Sequence, residues 1–286
     1  MGCYDNPINI FMNRIEITGL NTGFDGALIV PDLDGNVLKN WVAAHDFVLR
    51  ARDIEAIQAL QKQQEIHPVR QLINDNNPRI LALTEVMPDM PGGSESVKIL
   101  KEEGFKMILG RHKEGDQMRR TTLIAYKKEN GEDINFHIPR IVGGNSCGLL
   151  FPDSKMISLA VHLSAFVPAE RWRQLIFTAS RVYKYCQEGY DVILTGDFNT
   201  EYKGLFKLVF NRLPLQHKSL LSFPPQKLID EVRNEAGLQG ILLRRTLGKE
   251  KNLDHMFISN EFKINKFDSQ EVNSDHKALI LEAERA

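Results

Sequence analysis

Seven short runs rich in apolar and β-branched residues recur along the chain, and they limit its fold more than any other feature. They are RIEITGL (14–20), RILALTE (79–85), TTLIAYK (121–127), MISLAVHL (156–163), DVILTGD (191–197), HMFIS (255–259) and KALILE (277–282). Each has the length and composition of a buried strand. Only some of the gaps between them carry a helical pattern. FVLRARDIEAIQALQKQQ (47–64) places Val48, Ile54, Ile57 and Leu60 near a 3.6-residue period, and PVRQLINDNN offers Pro68 as a first helical residue. A third helix over 168–189 starts on Pro and ends on Gly, with Trp172, Leu175, Ile176, Ala179, Val182 and Tyr183 along one face. Few helices and several consecutive strands predict a mixed α/β domain rather than a doubly wound parallel sheet.

No internal repeat, low-complexity tract or Ser/Pro-rich linker interrupts the chain, which predicts one domain over residues 1–286. The stretch 201–250 reads as a Pro-broken loop with a short helix, the kind of segment that shapes substrate choice. Lys and Arg total 36 against 37 Asp and Glu, a formal net charge of -1. That balance argues against a wide non-specific nucleic-acid surface and leaves room for a local basic groove. The three cysteines, Cys3, Cys147 and Cys186, have neither paired nor metal-type spacing, which predicts a reducing, cytoplasmic setting. No apolar run approaches a membrane span, and the Gly2–Cys3 start lacks the Ser or Thr that myristoylation needs at position six.

Polar residues cluster at the ends of the predicted strands. Glu85 ends RILALTE, His162 follows an apolar run, and VILTGDFNT delivers Asp197 and Asn199. Asp254 and His255 open one later strand, and Asp275 and His276 precede the last. In an extended segment Asp197 and Asn199, two apart, would point the same way. One such residue is ordinarily structural; a series of them at the ends of strands in one sheet system is a site. The types suit metal-assisted attack of water on a phosphate ester. A hard cation such as Mg²⁺ takes carboxylates, waters and phosphate oxygens, so Glu85 and one aspartate fit as ligands. A histidine beside a carboxylate keeps its proton more readily, and Asp254 or Asp275 suits that role for His276.

The ordered set TEV, VHL, GDFN, LDHMFIS and SDH resembles the endonuclease/exonuclease/phosphatase superfamily, which is similar to deoxyribonuclease I. The resemblance spans about residues 14–282 and rests mainly on GDFN and the terminal SDH. It implies a four-layer α/β/β/α sandwich of two mixed, mainly antiparallel sheets, with the active site at one end. It also implies roles: Asp197 and Asn199 bind phosphate and position water, and Glu85 is the main ligand of Mg²⁺, with Mn²⁺ a substitute. Asp275 sits near the metal, His162 touches phosphate or protonates the leaving oxygen, and Asp254 orients His276.

Departures from the family pattern fall early in the chain. Thr84 stands where the family has Gln before the metal-binding Glu. Asn21 is the first-motif asparagine by its preceding strand and following Gly23, with Asn13 as the competitor; either can also be a plain turn residue. GALIVPDLDGNVLKNW (26–41) reads as an inserted hairpin. Asn145 and Arg120 are substrate-binding candidates, Arg120 because its guanidinium, next to Arg119, precedes a strand where a phosphate can meet it.

The resulting expectation is a Mg²⁺-dependent phosphodiesterase or nuclease. A phosphatase or phosphodiesterase of small-molecule or lipid headgroups, such as inositol phosphates, is the alternative. An inactive binding module of the same fold would have lost GDFN, SDH or the metal glutamate, and all three are present.

Overall fold

The computed structural model describes residues 14–22, 66–89, 94–110, 120–127, 130–139, 144–165, 167–199, 238–241, 253–272, 274 and 276–286. In chain order these form β1 (Arg14–Asn21), α1 (Pro68–Asn76), β2 (Ile80–Val86), α2 (Glu95–Glu102), β3 (Lys106–Leu109) and β4 (Thr121–Tyr126). There follow β5 (Glu132–Ile134), β6 (Asn145–Phe151), β7 (Met156–His162), α3 (Pro168–Gln187), β8 (Asp191–Asp197) and β9 (Leu238–Ile241). The chain closes with β10 (Asp254–Ser259), β11 (Phe262–Gln270) and β12 (Ala278–Arg285). All seven apolar runs are strands. The helix expected over 47–64, the hairpin over 26–41 and most of 201–250 lie outside the described residues, as do Asn13, Arg119 and Asp275.

Two six-stranded sheets result, ordered β11-β12-β1-β2-β4-β3 and β5-β6-β7-β8-β10-β9. Each contains one parallel pair, β1–β2 in the first and β7–β8 in the second. Side chains alternate across each strand, and the alternation explains the layering. Ile80 and Ala82 of β2 face the second sheet with Ile193 of β8 and Met256 of β10, in a core between the sheets. Leu81 and Leu83 face the other way, against Val69 and Leu72 of α1 and Ile99 and Leu100 of α2. Leu159 and Val161 of β7 meet Leu175 and Val182 of α3 on the far side of the second sheet. The order is therefore helix, sheet, sheet, helix.

Local chemistry fixes the helix ends. The His67 ring accepts from the Val69 N–H (3.2 Å) ahead of Pro68, and Asn77 closes α1 in the left-handed region at φ 42°. On α3 the buried stripe is narrower than the six-residue face expected. Leu175, Ala179 and Val182 are covered, whereas Ile176 is 42% and Tyr183 39% exposed. A helix lying on a flat sheet buries a limited arc, and these two fall just outside it. Among the described residues no helix is long and apolar enough to cross a membrane. Cys147, in the core between the sheets, and Cys186 are free thiols.

Candidate active site

Strand register carries four of the predicted residues into one row. Asn145 of β6 pairs with His162 of β7, His162 with Asp197 of β8, and Asp197 with Asp254 of β10. Each has the same parity as the inward-facing residues of its own strand, so the row faces the first sheet. Gly196 permits this ending. It sits at φ 143°, and a Cβ there would lie 1.9 Å from the Val161 carbonyl oxygen.

The first sheet supplies its groups differently. Asn21 ends β1 on the inward face. Two residues earlier on the same strand, Gly19 has no room for a side chain, since a Cβ would stand 2.6 Å from Thr195 Oγ1 on β8. This close approach of β1 to β8 lets Asn21 Nδ2 donate to Asp197 Oδ2 at 3.0 Å. Glu85 arrives through a bulge: Leu83 pairs with Leu123 and Val86 with Thr121, so Thr84 and Glu85 stand opposite Thr122 alone. Plain alternation would send Glu85 toward the helices with Leu81 and Leu83. Instead, at φ 61°, its Oε1 lies 3.6 Å from His162 Nε2 on the other sheet and 2.6 Å from Arg120 Nη1.

The remaining contacts tie these groups together. His276 Nδ1 is 2.7 Å from Asp254 Oδ2, and its Nε2 is 3.5 Å from Asn21 Nδ2. His162 Nε2 is 3.8 Å from Asp197 Oδ2. The Ser274 hydroxyl donates to the Asn21 carbonyl (2.7 Å) and accepts from the His276 N–H (3.3 Å), pinning the last loop to the end of β1. Asn21 and Asp197 are 2% exposed and His162, the most open of the histidines here, 8%.

Asn199 is placed differently from the expectation. β8 stops at Asp197, and Asn199 adopts φ 49°, so the two side chains are not parallel neighbours on an extended strand. The Asn199 backbone N–H donates to Asp197 Oδ1 (2.7 Å), and its Nδ2 donates to the Leu163 carbonyl (2.9 Å). The carboxamide thus binds the loop after His162, while the Asp197 Oδ1 contact to the Asn199 N–H is an Asx-turn. Asn145 likewise turns toward protein: its Oδ1 accepts from the Ser146 N–H (2.8 Å) and its Nδ2 donates to the Arg120 carbonyl (3.4 Å). Arg120 meets the Glu85 carboxylate. Ser274 was not singled out from the sequence, although it is the serine of SDH. No local pattern marks the Arg120–Glu85 pair, which joins residues 35 apart across the β2–β4 edge.

Burial sets the protonation states. It lowers His162 to about 4, against the pull of Glu85 and with Arg120 and His276 pushing the same way as burial. His162 is therefore neutral at physiological pH and offers one N–H rather than a charge. Burial, with the neighbouring Asp254 carboxylate, raises Asp197 to about 7, against His276 and the Asn199 N–H. Carboxylates crowded in this way favour a cation among them. Asp197, Asp254 and His276 each offer an atom within 4.8 Å of the others. With Glu85 and the Asn21 amide nearby, the donor set is rich in hard oxygens and contains no thiolate, which suits Mg²⁺ or Mn²⁺.

No protein-family model matches the chain, and no curated protein matches it significantly by sequence. Solved structures do resemble it. ANGEL2, a 2′,3′-cyclic phosphatase in complex with adenosine-2′,3′-vanadate, is similar at TM-score 0.58 and 12% identity, over 96% of this chain and 96% of that one. An endonuclease/exonuclease/phosphatase family protein from Bacteroides thetaiotaomicron is similar at TM-score 0.54 and 12% identity, over 96% and 98%. The human Nocturnin catalytic domain, with bound sulfate anion, is similar at TM-score 0.52 and 17% identity, over 96% and 95%. The chain has the deoxyribonuclease I-like fold of endonuclease/exonuclease/phosphatase proteins.

Proposed function

We propose that this protein hydrolyses phosphate esters with the help of a divalent cation, and that its first substrate class is phosphodiesters of nucleic acids. The observation that carries the reading is the buried cluster at one end of the sandwich: Asn21 on Asp197, His276 on Asp254, and His162 between Glu85 and Asp197. Glu85, the Asn21 amide oxygen and Asp275 are the proposed ligands of Mg²⁺, with Mn²⁺ as substitute. Bound there, the ion would neutralise phosphate charge and lower the cost of the developing transition state.

The chain's own groups do the rest. Asp197, whose Oδ1 is fixed by the Asn199 N–H and Oδ2 by Asn21, orients the attacking water and draws its proton. His276, oriented by Asp254, and the neutral His162 N–H donate to phosphate oxygens from opposite flanks. Asn199 acts through Asp197 and the Leu163 loop. The cytoplasm, where cysteines stay reduced, is the proposed setting.

A second reading, a phosphatase of small phosphate esters such as nucleotides or inositol phosphates, is favoured by the formal net charge of -1. The similar ANGEL2 is described as a 2′,3′-cyclic phosphatase, which points the same way. A screen with Mg²⁺ across single- and double-stranded DNA and RNA, cyclic and linear nucleotides, inositol phosphates and sphingomyelin separates the two. Hydrolysis or low-salt binding of polynucleotide supports the first reading. Turnover of small esters with neither supports the second, and no turnover by the folded protein with Mg²⁺ or Mn²⁺ rejects both.

A further inference from the structure

Arg120 and Glu85 form a pair whose chemistry goes further than holding one side chain in place. Arg120 Nη1 touches Glu85 Oε1 at 2.6 Å, and the same oxygen lies 3.6 Å from His162 Nε2, so it is the edge of the carboxylate turned into the site. The Glu85 side chain is 10% exposed and that of Arg120 26%, so the arginine is the more accessible of the two. The Arg120 carbonyl accepts from Asn145 Nδ2 (3.4 Å), and β4 begins at the next residue. The base of the arm is anchored while its side chain stays partly open to solvent. A divalent cation at Oε1 neutralises the charge that holds the guanidinium and repels it at close range, and a guanidinium is a bidentate donor shaped for phosphate oxygens.

We infer that Arg120 is an exchangeable counter-ion of Glu85: a divalent cation that takes Oε1 releases the guanidinium, which then turns to the phosphate of the substrate. The inference rests on the proposed function and deepens it, because metal loading and phosphate binding become linked through one side chain. Linkage is reciprocal, so phosphate that engages Arg120 also favours the cation.

Calorimetric titration of the full chain tests this without turnover. Mn²⁺ is titrated into wild type, Arg120→Met and Arg120→Lys, each checked by circular dichroism, and inorganic phosphate is then titrated with and without Mn²⁺. A charge within about 4–6 Å moves such an equilibrium by roughly tenfold or more, so Arg120→Met should bind Mn²⁺ about tenfold tighter. In wild type Mn²⁺ should strengthen phosphate binding, and Arg120→Met should lose most of that gain. Arg120→Lys, which keeps the charge without the fork, should bind Mn²⁺ nearly as wild type does and phosphate more weakly. Equal or weaker Mn²⁺ binding by folded Arg120→Met overturns the exchange, makes Arg120 a fixed brace for Glu85, and leaves the hydrolase reading standing. Absence of Mn²⁺ binding in both wild type and Arg120→Met overturns the exchange and the metal-dependent reading together.

Discussion

The two sheets bring their polar ends to the same place by different means. The second sheet uses its ladder: Asn145, His162, Asp197 and Asp254 share one row because four strands are in register and each has the inward parity. The first sheet uses exceptions. Glu85 faces the site only through a bulge and a positive φ, and Asn21 reaches Asp197 where a glycine lets the sheets close. The ladder is rigid and places groups that must not move. A bulge is a local irregularity that re-aims one side chain, a suitable place for a ligand whose partner changes. The difference predicts that damage to the row is irreparable and that damage to the bulge can be compensated.

The largest effect should separate the two directly. Asp197→Asn should lower kcat by about 10⁴-fold, about 5.5 kcal/mol of transition-state stabilisation, at any cation concentration. Glu85→Gln should lose activity comparably at low Mn²⁺ and recover a measurable part at high Mn²⁺. Steady-state kinetics over a Mn²⁺ series decides, and equal rescue of both variants would break the comparison. Next, Asp254→Asn should cost about 10²–10⁴-fold in kcat with little change in KM, since it removes what orients His276. His162→Ala should lose a similar amount, and the double variant with His276→Ala less than the product of the two losses.

A smaller effect concerns the ladder's backbone. Gly196→Ala should destabilise the fold by about 3 kcal/mol in urea, because the new Cβ meets the Val161 backbone and a strained φ together. Unchanged stability would mean that the row does not depend on this ending.

Per pH unit, the smallest concerns pH, with EDTA present. His162 is at about 4 when folded against 6.5 unfolded, so its share of stability is present above 6.5 and lost as pH falls toward 4. Asp197 has the opposite sign. Raised from 3.8 to about 7, it contributes stability present below 3.8 and lost as pH rises toward 7. The two oppose each other between pH 4 and 6.5. In Asp197→Asn only the histidine remains, so stability should climb with pH across that window by up to about 1.4 kcal/mol per unit, more steeply than in wild type. A flat profile for the variant would contradict the buried, neutral His162.

The same contrast explains what the sequence disclosed. Residues delivered by the ladder were legible, because each closes or opens an apolar run and period-two alternation then fixes its face: His162, Asp197 and Asp254 needed only strand ends. Glu85 was legible as a carboxylate at a strand end, while the bulge that aims it was not, since it depends on how β4 pairs. Asn199 was misplaced for a related reason. Its φ is left-handed and β8 stops two residues before it, at Asp197, and its carboxamide partner lies on the Leu163 loop. The Arg120–Glu85 and Ser274–Asn21 contacts are tertiary and leave no local periodicity to read. The exposed strands β3 and β5 escaped because neither buries a full face.

The central claim is that one site, built from both sheets, hydrolyses phosphate esters with a divalent cation. The most direct measurement is initial-rate hydrolysis of bis(p-nitrophenyl) phosphate and of a fluorescent oligonucleotide by wild type, Asp197→Asn and Glu85→Ala, each with Mg²⁺ and with EDTA. The account predicts turnover by wild type only with Mg²⁺, silence in EDTA, and losses of about 10³-fold or more in both variants while their folds persist. Turnover that survives EDTA, or that persists undiminished in the two variants, would contradict it.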